Sequence, residues 1–174
     1  MKKLFLAAGI AVASLAMVVP AHAATQTIDA NLSGALSMTT SPTATISSWS
    51  LASSGANTTS GGSVVMNANQ PYTVGVTADK TRMTEYASGA YVSSSPKTLT
   101  SPMTITAVRS AGTAVSAGVG AAAIVGTSTL LATGTGLGTD TYDITLAQPT
   151  AITDQALSTG SYHIVLTYTA SSTL

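Results

Sequence analysis

Few residues of this chain have side chains that could carry out catalysis. His163 is the single histidine after the first 23 residues and the chain has no cysteine, so it would have to be the imidazole base of any hydrolase that uses one. A catalytic triad also needs an acid that orients the histidine and a nucleophile beside it, but the sequence has no Gly-x-Ser-x-Gly elbow to supply the serine. His163 lies between Tyr162 and Ile164, and we expect it on the outer face of a strand.

Paired carboxylates that could run glycoside hydrolysis are not indicated either. Asp140 and Asp143 are three positions apart, and in a strand this spacing places them on opposite faces. Asp79 and Glu85 lie beside two basic residues of a polar segment, where solvated ion pairs account for them. We therefore predict no catalytic residues and no enzyme, and a secreted hydrolase is the weakest of three functional alternatives.

A calcium site is the one metal centre for which the sequence offers ligands. Asp140, Thr141 and Asp143, together with Asp154, could supply oxygens, but calcium needs six to eight of them and the chain has no Asp-rich loop with ligand-like spacing. Thiolate metal sites are excluded because there is no cysteine. The prediction is that the protein has no metal and no cofactor.

Aromatic residues give a third kind of candidate, a carbohydrate-binding face. Trp49 stands two residues before Leu51, and six tyrosines are available to stack on sugar rings. A single tryptophan between strands is also typical of a core residue. Asn31 and Asn57 begin N-glycosylation sequons, and Asn57 is the more accessible of the two if it lies in a turn.

The N-terminus has the pattern of a secretory signal peptide. Two lysines follow Met1, an apolar run extends over residues 4–19, and Ala21-His22-Ala23 offers small residues at a cleavage site. The run is shorter than the roughly 20 residues that span a bilayer. We expect cleavage after Ala23, so that residues 1–23 are the signal peptide and residues 24–174 form one secreted domain without a membrane span.

Composition excludes several classes of partner. After removal of residues 1–23 there are four basic and six acidic residues, a net charge of −2. Because the basic residues are not clustered, nucleic-acid binding is not predicted. Charged residues make up 7% of the chain, against about 25% in an ordinary domain. Such low charge gives little repulsion between copies, which favours self-association.

Alternation of apolar and polar residues predicts an all-β protein. The clearest strands are expected at residues 28–38, 46–51, 64–66, 72–77, 103–108, 142–146 and 162–168. We predict a turn region at residues 53–62 and a long loop or short hairpin at residues 79–95. Residues 111–138 are expected to contain one or two weak strands, around 122–125 and 130–131. Seven to nine short strands favour an immunoglobulin-like β-sandwich, with a closed barrel as the main rival.

The apolar sides of these strands predict the core. Its expected members are Leu32, Leu36, Trp49, Val74, Ile105, Ile144, Ile164 and Leu166. Burying each such side chain would contribute roughly 1.5–3 kcal/mol.

The order of several short motifs resembles that of a known group of exported proteins. These motifs are Ser41-Pro42, Trp49-Ser50-Leu51, the segments 69–74 and 83–86, and the closing segment 160–168. Together they are similar to exported microbial, often archaeal, Ig-like β-sandwich surface proteins, and more distantly to WxL-type and TasA/camelysin-like proteins. The resemblance implies a surface or matrix role without catalysis. The second W-x-L of the WxL family is absent, and the last strand, which also resembles spore-coat and pilin-like subunits, lacks their cysteines.

Two functions therefore lead. The first is a secreted, non-catalytic structural protein of the cell surface or extracellular matrix that self-assembles by strand exchange. The strand to be exchanged would be residues 27–38, which lie close to the new N-terminus and could complete the sheet of a neighbour. The alternative, which the sequence favours, is that they form an ordinary first strand within a monomer. The alternative is a secreted carbohydrate-binding or adhesion module, whose partner would be a cell-surface glycan.

Overall fold

The computed structural model describes residues 34–40, 56–112, 116–118 and 120–173. Within these ranges every helix or strand element is a β-strand, and no helix could span a membrane. The predicted signal peptide, the sequon at Asn31 and the predicted core residues Leu32 and Trp49 lie outside the described residues.

The described part of the chain contains twelve strands: β1 (Leu36–Thr40), β2 (Ala56–Ala68), β3 (Tyr72–Ala78), β4 (Thr84–Ala87), β5 (Ala90–Tyr91), β6 (Thr104–Ala111), β7 (Ser116–Gly118), β8 (Ala122–Ala123), β9 (Thr129–Gly134), β10 (Gly138–Pro149), β11 (Ser161–His163) and β12 (Leu166–Ser172). The all-β prediction is confirmed. Four of these strands have only two or three residues, and they account for the excess over the seven to nine expected.

All pairings between these strands are antiparallel, and they form three sheets. The largest sheet has the order β1-β2-β10-β6-β8, the second has the order β12-β3-β9-β7, and the smallest has the order β11-β4-β5. β10 is the centre of the largest sheet, because it pairs with β2 along its whole length and with β6 over residues 141–147.

One hydrophobic cluster receives side chains from both larger sheets. β2, β6 and β10 contribute Val64, Met66, Ile105, Tyr142 and Ile144, while β3 and β9 contribute Val74, Val76 and Leu131. Of the predicted core, Val74, Ile105 and Ile144 are buried, and Leu36, Ile164 and Leu166 pack against the cluster while partly exposed. Alternation with period two therefore identified three buried core residues and three residues at the margin of the core.

The predicted turn at residues 53–62 is wrong from Ala56 onward. This stretch belongs to β2, in which Ala56 pairs with Pro149 and Gly62 pairs with Ile144. Gly61 is the extra residue of a β-bulge here, since Ser60 pairs with Thr145, the residue after Ile144. Small polar residues lie in a strand because β10 offers a long partner, and packing context outweighs their weak intrinsic preference for strands.

β1 begins later than expected. Residues 28–38 were predicted as one strand with a bulge or bend at Gly34. Gly34 and Ala35 are outside β1, which extends to Thr40, and residues 28–33 lie outside the described residues. Ala35 forms two hydrogen bonds with Asn69. The Ala35 N–H donates to Asn69 Oδ1 at 2.6 Å, and the Asn69 N–H donates to the Ala35 carbonyl at 3.2 Å. From Leu36 on, β1 pairs with β2 of the same chain.

The segment predicted as a long loop or short hairpin contains a hairpin. β4 and β5 pair through Tyr86 with Tyr91 and Ala87 with Ala90. The two loop residues, Ser88 and Gly89, both have positive φ angles, 54° and 84°. Positive φ at both positions is what a two-residue hairpin loop requires to match the twist of its strands.

The last predicted strand is divided between two sheets. β11 pairs with β4, whereas β12 pairs with β3. Asp79 holds the chain at the crossing, because its N–H donates to the Val165 carbonyl at 3.1 Å and its Oδ1 accepts the Val165 N–H at 2.8 Å.

Replacing Gly61 by alanine should destabilise the protein by about 1–3 kcal/mol, because overpacking a filled core displaces its neighbours. The new Cβ would lie 2.7 Å from Cγ2 of Ile144, which is buried. Gly120→Ala is the matched control, since a Cβ there meets nothing within 4 Å, and it should change the unfolding free energy by less than about 0.5 kcal/mol. Urea denaturation followed by far-UV circular dichroism measures both. Equal losses in the two variants would contradict the packing of Gly61 on β10.

Candidate binding surface

Three aromatic rings from the smallest sheet form a cluster at the protein surface. Tyr86 and Tyr91 are directly opposite in β4 and β5. Ser161 of β11 is opposite Tyr86, so His163, two residues further, shares their face. The His163 ring stacks on Tyr86 with centroids 4.4 Å apart, and Tyr91 meets Tyr86 edge-on at 5.3 Å. All three residues are half-buried, so each ring keeps an accessible part.

Hydrogen bonds hold the two tyrosine rings in place. The Tyr86 hydroxyl donates to the Gly89 carbonyl at 2.6 Å, and the Tyr91 hydroxyl donates to Asp79 Oδ2 at 2.6 Å. Burial, and after it the hydrogen bond to Asp79, raises the pKa of Tyr91 well above its ordinary value. Lys80 places its Nζ 4.6 Å from the centroid of the Tyr91 ring, a cation–π contact. The cluster is therefore a fixed surface before any ligand arrives.

The geometry around His163 differs from that of a general base. Its ring contacts are Tyr86 and Tyr91, and among the described residues no carboxylate or hydroxyl forms a hydrogen bond with it. A triad histidine needs an acid on one ring nitrogen and a nucleophile on the other. The arrangement at His163 is suited to stacking.

The carboxylates of the polar segment do not form the solvated ion pairs expected for them. Asp79 accepts from Tyr91 and from the Val165 backbone, and Glu85 accepts the Lys97 N–H at 3.0 Å. Both side chains stabilise local backbone or a neighbouring ring. In the described ranges the one salt bridge joins Arg109 to Asp140.

Asp140 and Asp143 lie on opposite faces of β10, as their spacing predicted. Asp143 is exposed, whereas Asp140 is 1% exposed. Asp140 Oδ2 accepts the Tyr72 hydroxyl at 2.7 Å, and its Oδ1 accepts Arg109 Nε–H at 3.3 Å. The two carboxylates therefore cannot act together on one glycosidic bond.

Tyr72 and Tyr142 complete a buried polar network around Asp140. Their hydroxyl oxygens are 3.0 Å apart, and Tyr142 Oη is 3.1 Å from the Thr133 carbonyl. Tyr72 gives its single hydroxyl proton to Asp140, so the Tyr142 proton is shared between Tyr72 and Thr133. Burial, reinforced by the hydrogen bonds to Tyr142 and Asp140, raises the pKa of Tyr72 well above its ordinary value. The network links the two larger sheets, and its role is structural.

The residues considered for calcium are not brought together. Asp154 follows the far end of β10, where it binds Thr100 just before β6. Asp140 lies near the opposite end, since its neighbour Thr141 pairs with Ala111 at the end of β6. Within the described ranges no group of three His, Cys, Asp or Glu residues is placed to hold a metal.

Asp154 instead fastens two loops. Its Oδ1 accepts from the Thr100 N–H and hydroxyl, both at 2.7 Å, and its Oδ2 accepts the Ala151 N–H at 2.8 Å. Burial alone would raise the pKa of Asp154, but these hydrogen bonds hold it below its ordinary value. The carboxylate is thus stabilised in its charged form.

The remaining candidates differ from expectation or lie outside the described residues. Asn57 was expected in a turn, but it lies in β2 opposite Gln148, and its Nδ2 is 3.5 Å from Thr150 Oγ1. Trp49 and Leu51, the predicted sugar-stacking pair, fall outside the described residues, as does Asn31. The aromatic cluster was not predicted, because its members come from three strands whose pairing the sequence did not reveal.

Comparison with known proteins gives no family for this chain. No protein-family model matches the sequence, and no curated protein and no solved structure matches it. The resemblance to WxL-type and TasA/camelysin-like proteins stays a prediction.

Tyr72→Phe should destabilise the protein by about 1–3 kcal/mol, because it removes a donor from a buried carboxylate. Tyr168→Phe is the matched control, since the Tyr168 hydroxyl has no hydrogen-bond partner among the described residues, and it should cost less than about 0.5 kcal/mol. Chemical denaturation at pH 7 measures both. A Tyr72→Phe variant as stable as the control would show that the buried network contributes nothing.

Asp154→Asn should lower the unfolding free energy at pH 7 by about 1–2 kcal/mol, because its charge-assisted hydrogen bonds weaken. The folded-state pKa is lowered, so the unfolded chain protonates first as the pH falls below about 4. The contribution is therefore present above that pH and lost as the pH falls through the folded-state pKa. Denaturation curves between pH 7 and pH 2.5 should show the variant and the wild type converging at the acid end. Asp143→Asn, at an exposed carboxylate, is the control and should cost less than about 0.5 kcal/mol at pH 7. A difference between Asp154→Asn and wild type that stays the same at every pH would contradict the assignment.

Proposed function

We propose that this chain is an exported, non-catalytic structural protein of the cell surface or extracellular matrix, which assembles through its sheet edges. Residues 1–23 act as a cleaved signal peptide, and the mature chain forms an Ig-like β-sandwich. Support for the sandwich comes from the shared core, to which both larger sheets contribute. Support for export comes from the N-terminal sequence pattern and the low charge of the chain.

The observation that carries the assembly proposal is the unequal length of the sheet edges. Among the described residues, the edge strands at one margin of the larger sheets are β7 and β8, with three and two residues, and those at the other margin are β12 and β1, with seven and five. Very short edges are one means by which β-proteins avoid pairing with each other, and lysine or proline on the edge is another. β12 and β1 carry neither charge nor proline.

The two long edges also lie near each other, since residues of β1 and β12 are in contact range. β12 pairs with β3 on one side, and no strand of the described residues pairs with its other side. A strand from a second copy can form backbone hydrogen bonds there, and such bonds supply much of the affinity in strand addition. Since both edges are uncharged, the association needs no complementary charges.

Strand exchange through residues 27–38 is the more specific form of this proposal. Its described part, from Leu36 to Met38, pairs with β2 in the same chain, as an ordinary first strand does. Addition of a second copy at the outer side of β12 or β1 leaves that pairing intact. Exchange would require β1 to leave β2 and to be replaced by the same strand of a neighbour.

Thr169→Lys should reduce self-association, because it places a charge on the exposed face of β12 near the middle of the edge. Thr145→Lys is the matched control, because Thr145 is exposed but belongs to β10, which is paired on both sides. Sedimentation velocity over a concentration series and negative-stain electron microscopy measure assembly. We expect oligomers or filaments for the mature protein and the control, and at least about tenfold weaker association for Thr169→Lys. A mature protein that stays monomeric at millimolar concentration contradicts the proposal, as does equal assembly of both variants.

A secreted carbohydrate-binding or adhesion module is the second candidate. The surface cluster of Tyr86, Tyr91 and His163 favours it, since half-exposed aromatic rings held by hydrogen bonds suit stacking on sugar rings. Screening the mature protein against immobilised neutral and acidic glycans tests this function. Binding by a monomer would favour the module over the structural role, and no binding to any glycan would reject it.

A further inference from the structure

An open groove lies beside the aromatic cluster. It has a volume of about 370 Å³ and is lined by Lys80, Thr81, Arg82, Thr84, Thr98, Pro102 and Val125. The first three residues link β3 to β4, and Thr98 and Pro102 link β5 to β6. Thr84 and Thr98 are joined by an isolated β-bridge. The volume is at the lower end of the range for small-ligand sites, enough for a short saccharide segment.

The groove holds the two basic residues that form neither a salt bridge nor a side-chain hydrogen bond among the described residues. Four basic residues are described, and two of them have fixed polar partners: Arg109 binds Asp140, and Lys97 Nζ donates to the Ala156 carbonyl at 3.3 Å. The other two are Lys80 and Arg82, both exposed. Neither forms a salt bridge among the described residues. In a chain with so few charges, two such cations in one groove indicate an anionic ligand.

Nearby carboxylates do not neutralise these cations by contact. Asp79 precedes Lys80 in the chain, but both of its oxygens accept hydrogen bonds, one from Tyr91 and one from the Val165 backbone. Glu85 is directed to the Lys97 N–H. Lys80 is held over the Tyr91 ring. Because this contact already restricts the rotamers of the lysine, binding a ligand costs less side-chain entropy than it would at a free surface lysine.

The remaining lining groups suit a ligand rich in hydroxyls. Thr81 and Thr98 are exposed, and their hydroxyls can both donate and accept hydrogen bonds. The Thr84 hydroxyl donates to the Arg82 carbonyl at 3.0 Å, which fixes the backbone from which the Arg82 side chain extends. A guanidinium presents parallel N–H donors that match the two oxygens of a carboxylate or sulfate group.

We infer that this groove binds an acidic glycan, with Arg82 and Lys80 on its carboxylate or sulfate group and the threonine hydroxyls on the sugar. The inference rests on the second candidate function, glycan binding, and adds its ligand class and its location. The aromatic cluster beside the groove would take the neighbouring sugar ring. The two cations would select the acidic sugar unit, and the aromatic rings would accept different neighbouring sugars of the glycan.

Isothermal titration calorimetry of the mature protein at low salt tests the inference with three probes. These are a galacturonic acid tetramer, a sulfated oligosaccharide of equal length and a neutral glucose tetramer. We expect at least about tenfold tighter binding of an acidic probe than of the neutral one, and weakening with added salt. The acidic probe that binds more tightly identifies carboxylate or sulfate as the recognised group.

Arg82→Gln and Lys80→Gln should each weaken binding of the acidic probe by about tenfold or more, as expected for loss of a hydrogen bond to a charged group. Lys97→Gln is the matched control, since it removes a cation outside the groove lining and should leave affinity within about twofold. Arg82 and Lys80 are exposed, and unchanged thermal melting confirms that their variants fold. Acidic binding unaffected by the two groove variants would overturn this location. Equal binding of neutral and acidic probes would overturn the ligand class while leaving glycan binding itself intact.

Discussion

A carboxylate taken out of water must find partners inside the protein, because an unpaired buried charge is very costly. Asp140 meets this requirement through one residue from each of two other strands, Tyr72 of β3 and Arg109 of β6. Tyr142 and Thr133 extend the hydrogen bonds to β9. Because a shift of any of these strands by one residue would turn its polar group to the other face, the network determines how the two larger sheets are aligned. A core of aliphatic side chains alone would tolerate more than one alignment.

The rest of the architecture follows from β10, the strand that carries Asp140. It is long enough to pair with all of β2 and most of β6, so segments with weak strand preference become ordered beside it. The chain has no cysteine, and cross-linking therefore makes no contribution to stability. Packing along β10 is close, since a Cβ added at Gly61 of β2 would lie 2.7 Å from Cγ2 of Ile144.

Sequence patterns predicted strands correctly where apolar and polar residues alternate. They failed where the structure of a segment depends on a strand that is distant in the sequence. The strand at residues 72–77 and its core residue Val74 were assigned correctly because period two is a local property. Residues 56–62 were taken for a turn because only the presence of β10 makes them a strand. Tyr72 and Asp140 are 68 residues apart, and no spacing rule reveals such a pair. The aromatic cluster was missed for the same reason, although a short hairpin was one of the two alternatives predicted for the segment that presents two of its rings.

Asp79 lies between the two surfaces for which a function is proposed. One oxygen accepts from Val165, where the chain leaves the smallest sheet to begin β12, and the other accepts from Tyr91, beneath Lys80. If a ligand on Lys80 also shifts the Tyr91 ring, it would change the hydrogen bond that Tyr91 donates to Asp79, the residue that binds Val165 at the start of the edge strand. Thermodynamic reciprocity then requires that assembly change the affinity for the ligand by the same factor by which the ligand changes assembly. If the chain assembles and binds glycan as proposed, the stability of the assembly would depend on the concentration of polysaccharide around it.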